Sequence, residues 1–178
     1  MLTTPTTKQL QMSVSVICKV IAQIPCFYLY EKYIAQRFDT TVSETAFRDM
    51  THNAALDSAL INLRCFNEFF RPANRPDDVR ASHFPGVSMQ PFLSPNEEQD
   101  INKYLAHITV TRSNIVTKPW LIDEMTIRGL RHGVEFLLII DGGFPLRTES
   151  ARIELCLVRG IARRLIQEFT KLHESQAD

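Results

Sequence analysis

The chain has 178 residues, 44% hydrophobic and 22% charged, which suits one globular domain with a real core and is too short for two independent ones. Lys plus Arg equals Asp plus Glu at 20 each, so no net field draws the molecule toward nucleic acid or an anionic membrane, and a polyanion has to be held by a local patch. Cys18, Cys26, Cys65 and Cys156 lack the paired spacing of a zinc or redox centre, and their apolar neighbours predict buried free thiols.

Residues 1–7, rich in Thr, read as a loose N-terminal arm, and residues 8–178 as one helical domain. Val14 to Tyr30 is the longest apolar-looking stretch, but Ser15, Lys19, Gln23 and Pro25 interrupt it too often for a spanning helix. A single preceding Lys8 and the lack of a small-residue cleavage pattern speak against a secretory signal, so no membrane contact and a cytoplasmic location are expected. Pro25 predicts a kink or a fresh helix start, with the second piece ending near Phe38.

Thr41-Val42-Ser43-Glu44 fits a capping box, in which a hydroxyl and a carboxylate satisfy each other's orphan amides, and so predicts the start of the next helix. Phe47, Met50, Ala54, Leu56, Leu60, Leu63, Phe66 and Phe70 follow at spacings near three and four, a wide apolar stripe expected to face the core. Phe66, Phe69 and Phe70 share that phase and read as core, not as a platform for stacking bases. Between Arg71 and Leu93, Pro72, Pro76, Pro85, Pro91 and Gly86 break the periodicity, which gives one long loop over 71–93. Val79 and Phe84 anchor it to the domain, and its length marks it as a candidate surface for a protein partner.

Ser94-Pro95-Asn96-Glu97 is a second capping box with Pro at the first helical position, opening a helix that fades by Asn114. Pro119 opens the next, with Leu121, Ile122, Met125, Leu130, Val134, Leu137, Leu138 and Ile140 on one face and Gly142-Gly143 as its stop. Leu146 to about Glu174 forms the last helix, with Ile153, Leu157, Ile161, Leu165 and Phe169 expected inward. No stretch alternates with period two, so the predicted fold is all-α: an up-and-down helical bundle of four main helices plus a bent N-terminal one.

The third main helix carries the most suggestive polar grouping. At about 100° per residue, Ile101, Leu105 and Ile108 share an apolar face, while Asp100, Lys103, Tyr104, His107 and Thr111 line another. An imidazole beside an ammonium and a phenol is a set that serves phosphodiester chemistry, and it is equally what a solvated helix face contains. On the last helix, Arg152, Arg159 and Arg163 recur at spacings of seven and four, with Arg164 beside them, which reads as a phosphate track or as a solvated face balanced by Glu149 and Glu154. Glycine-rich phosphate loops, a nucleophile elbow and Cys-His pairs are absent, so no cofactor is expected.

Asp77-Asp78-Val79-Arg80-Ala81, then Ile101-Asn102-Lys103, then Leu105-Ala106-His107-Ile108-Thr109 with Arg112 after them resemble a group of uncharacterised bacterial proteins, itself similar to HEPN domains, over about residues 44 to 140. HEPN domains are helical bundles found in toxin, anti-phage and RNA-processing systems. The resemblance implies a homodimer that meets RNA or a nucleic-acid-processing partner, without a metal. Active members carry an arginine separated by about four to six residues from a catalytic histidine. Here His107 matches the histidine, and the arginine positions hold Asn102, Ile101 and Asp100. The resemblance therefore implies weak or lost metal-independent ribonuclease activity, with Asn102, Lys103 and Arg112 as accessory groups to His107; Tyr104 and Arg112, with Arg152, Arg159 and Arg163 of the last helix, which lies outside the resemblance, are the candidate RNA contacts. Two other classes stay open: a non-enzymatic dimeric interaction or scaffold protein, and a metal-binding bundle enzyme drawing on His52, His83, His107, His132, Asp77 and Asp78.

Overall fold

The computed structural model describes residues 4–37, 42–73, 75, 77–106 and 121–174. Among the described residues there is no strand, and the α-helices are α1 (Thr7–Gln23), α2 (Cys26–Tyr33), α3 (Val42–Phe69), α4 (Pro95–Ala106), α5 (Ile122–Gly143) and α6 (Glu149–Glu174). Local chemistry explains most of these boundaries. Thr6 and Gln9 form a capping box at the start of α1, the Gln9 N–H donating to Thr6 Oγ1 at 3.3 Å and the Thr6 N–H to Gln9 Oε1 at 2.8 Å. Pro25 is the residue before α2, which runs on into a single 3-10 turn over Ala35–Arg37. The Ser94 box opens α4: its N–H donates to Glu97 Oε2 at 2.8 Å, and its hydroxyl accepts the Glu97 N–H at 3.3 Å. Phe38 and Thr41 lie outside the described residues.

Helix α5 is packed against α6, α3 and α1, and α1 against α6 and α3. Two glycines set how closely α5 is approached. A Cβ at Gly133 would stand 2.9 Å from Ile21 Cγ2, and one at Gly129 would stand 2.9 Å from Leu63 Cδ2, so any larger residue forces these packed side chains to shift. Farther along the same buried face of α5, aromatic rings fill the space: Phe136 meets Phe84 edge-on at 5.4 Å and Phe69 at 5.2 Å, the quadrupole-favoured arrangement.

The long loop is held down by two buried polar side chains of unlike character. Asn67, fully buried on α3, accepts the Phe92 and Leu93 N–H groups on one Oδ1, both at 2.8 Å, which supplies partners for amides that the loop cannot pair itself. Arg80 is buried in the loop and reaches α3, donating to the Glu68 carbonyl and carboxylate while pairing with Asp78 at 2.7 Å. A second set of ion pairs, Arg71 to Glu98 and Arg128 to Glu97, ties α4 to the start of the long loop and to α5. Burial alone would push Glu97 up, but Arg128 together with the Ser94 amide and hydroxyl outweighs it and holds the carboxyl below its usual range.

The structure corrects the predicted core at several places. Phe47, Met50 and Ala54 are exposed, and burial on α3 begins in earnest at Leu56. At 28 residues α3 is roughly 40 Å long, and its N-terminal part is met by the 8-residue α2, where the Tyr30 hydroxyl donates to the Arg48 carbonyl at 2.9 Å. Leu121 and Leu138 are also exposed. Of the cysteines, Cys18 is buried and Cys26 half-buried, while Cys65 and Cys156 are exposed; all are free thiols. On α6, Ile153, Leu157 and Ile161 point outward, and Leu155, Val158, Ala162, Leu165 and Phe169 form the inner face. The reason is geometric: each step of four residues drifts by about 40°, so a series of steps of four from Ile153 to Phe169 turns by about 160° and cannot stay on one face. Spacing of three and four mixed, as in Leu155-Val158-Ala162-Leu165-Phe169, holds the phase.

No single helix among the described residues is long and apolar enough to cross a membrane; α1 taken together with Cys26–Arg37, bent by 40°, reaches that length. The apolar residues of that bent pair are largely spent on the core, with Val14, Ile21 and Ile24 fully buried.

Candidate functional site

The grouping expected on α4 is only partly assembled among the described residues. Lys103 is exposed and Asn102 half-buried, its Oδ1 buried with no partner among the described residues. Tyr104 is 6% exposed and belongs to the core, which overturns its place on a polar stripe. Residues three and four steps from Ile101 flank it at nearly equal angles, so Tyr104 and Leu105 straddle the inner face together. His107 and Arg112 lie outside the described residues.

The arginine line on α6 divides by role. Arg159 lies over α5 with Nη1 2.7 Å from Asp141 Oδ2, so it pins the two helices. Arg152 and Arg163, on the same line, are exposed. Arg164 is 82% exposed, with Nε 3.5 Å from Glu168, and Glu154 is turned the other way, toward Ser15 of α1 at 3.2 Å.

No group of three or more His, Cys, Asp or Glu able to hold a metal is present among the described residues, and the described histidines stand apart. His132 packs on Phe92 and Phe70, His83 Nδ1 accepts the Arg80 N–H at 3.1 Å, and His52 Nε2 is 3.4 Å from Glu31. His52 also borders a polar hollow of about 340 Å³ between α2 and α3, with Glu31, Arg48 and Asp49 around it. Sequence spacing gave no hint of that grouping, because Glu31 and His52 sit on different helices. Arg48 offsets one of its two carboxylates. A larger groove of about 590 Å³ runs between α1, α3 and the loop, floored by Val16, Ile17, Phe66 and Phe69 and closed at one end by the Arg80 ion pairs.

The feature with the plainest physical consequence is a set of side chains that sequence spacing places inside. Ile153, Leu157 and Ile161 are 60%, 61% and 46% exposed and follow one another at single-turn intervals on the outer side of α6. Isolated exposed apolar side chains are common, but a contiguous ridge of large ones marks a surface used for association. Gly160, beside the ridge, has nothing within 4 Å of where a Cβ would stand, so the helix backbone is open to close approach there. No family model, no curated protein and no solved structure matches this chain.

Proposed function

We propose that this protein is a non-enzymatic interaction module, a homodimer built on an up-and-down bundle of four long helices and acting in the cytoplasm. The observation that carries the reading is the outward ridge Ile153, Leu157 and Ile161 on α6. Covering such a ridge removes apolar surface from water at about 25 cal/mol per Å², and self-association does so without a second gene product. Four free thiols suit a reducing compartment. The long loop, fastened by Asn67 and Arg80, is a rigid surface available to a further protein partner. Sedimentation equilibrium across micromolar concentrations tests the reading: a reversible dimer is expected, and a monomer throughout overturns it.

A second reading, a HEPN-like bundle that holds RNA with weak or lost nuclease activity, draws on the exposed Arg152 and Arg163 of α6 and on exposed Lys103. In it His107 is the residual catalytic group, Asn102 and Lys103 assist it, and Arg112 contacts RNA. Single-stranded and structured RNA incubated with the protein and with His107→Ala decides this: salt-sensitive binding supports it, while no binding, or equal cleavage by both, removes it.

A further inference from the structure

We infer that the ridge on α6 pairs with the same ridge of a second copy in antiparallel orientation, Leu157 meeting Leu157 at the two-fold axis. This rests on the dimer reading and names the surface and register that serve it. The occupant follows from the distribution of charge along the helix. Glu149 stands in the first turn of α6, and Arg164, 82% exposed, lies beyond Ile161 on the outer face. In an antiparallel pair centred on Leu157, Ile153 lies against Ile161 of the second copy and Glu149 comes beside Arg164 at both ends. A parallel pair would set Arg164 against Arg164 and Glu149 against Glu149, and would align the two helix dipoles, both unfavourable.

Steric conditions agree. Steps of four residues form a ridge, and a ridge of this kind packs into the groove beside its own copy; Gly160 supplies the low point in that groove. Arg159 is committed to Asp141 and Glu154 to Ser15, so neither flank presents a charge that would have to be buried at the contact. Arg152 and Arg163 share the Arg159 side of the helix and stay open to solvent after pairing.

Cysteine cross-linking tests the register in the full chain with the exposed Cys65 and Cys156 replaced by Ser. Under mild oxidation Leu157→Cys is expected to link to itself, and Ile153→Cys to link to Ile161→Cys when the two are mixed, with little linkage of either to itself. Efficient self-linkage of Ile153→Cys would establish a parallel pair and overturn the proposal. A protein that sediments as a dimer yet gives no Leu157→Cys linkage overturns the ridge pairing and leaves the dimer reading standing; a monomer overturns the dimer reading itself. Charge swapping supplies an independent arm without cysteines. Glu149→Arg or Arg164→Glu alone is expected to weaken dimerisation by about three- to tenfold, and the two together to restore it. Loss that simply accumulates in the double variant overturns the pairing.

Discussion

Helices α5 and α6 lie side by side and are both rich in large apolar residues, yet they use them in opposite ways. On α5 Phe136, Leu137 and Ile140 are fully buried, and even Gly129 and Gly133 stand against side chains from α1 and α3. On α6 one face is buried and a second apolar ridge is left outside. What separates them is position: α5 is contacted by α1, α3 and α6, whereas α6 has neighbours on its inner side and solvent on its outer one. Apolar content alone therefore says that a helix has something to bury, and not where its partner is.

The sharpest way to break this comparison is truncation on each helix. Phe136→Ala should cost about 3–5 kcal/mol in urea unfolding, since it opens a cavity in the ring cluster with Phe84 and Phe69. Leu157→Ala, measured at concentrations where the protein is monomeric, should cost less than about 0.5 kcal/mol. Equal costs would erase the distinction between the helices.

Next in size is overpacking. Gly133→Val introduces atoms where Ile21 Cγ2 already stands and should destabilise by about 1–3 kcal/mol, whereas Gly160→Ala on α6 should be neutral or slightly stabilising through helix propensity. Thermal unfolding of the pair checks the sign.

A smaller effect concerns how α5 is fastened to α4. Glu97 is held below its ordinary range in the folded state, so its contribution is complete above the unfolded carboxylate pKa of about 4.3 and is lost as pH falls through the folded value. Arg128→Ala should lower the melting temperature by roughly 2–4 °C at pH 7, with the difference closing as pH falls through the folded value of Glu97. A gap that persists in acid would mean that Arg128 acts through packing and its bond to the Phe92 carbonyl instead.

The mildest probe leaves stability alone. Burial pushes the Cys18 thiol up to about 12, and Glu154 adds to the shift, whereas Cys156 is exposed on α6. A thiol reagent at pH 8 should modify Cys156 and Cys65 at least about a hundredfold faster than Cys18. Fast labelling of Cys18 in the folded protein would show that α1 opens away from α5 and α6.

The α4 start at Pro95 was legible because Ser94 and Glu97 satisfy each other locally, and the core role of Phe66, Phe69 and Phe70 because they share one helical phase with Leu63. Much less of the candidate site could be read. Tyr104 was set on a polar stripe by its hydroxyl, though its angle beside Ile101 already belonged to the inner face. The grouping of His52 with Glu31 was invisible because it joins two helices.

What the sequence by itself determined is everything settled within a turn or two of backbone: an all-α fold, the Ser94 cap, and the presence of apolar stripes. Tertiary structure alone decided which stripe of α6 turned inward, that Phe47 and Met50 of α3 lie exposed, and that Asn67 would bind amides 25 and 26 residues away. Hydrogen bonds and helical period act over a few residues, while burial depends on which surfaces happen to meet, and on α6 two surfaces competed for one core.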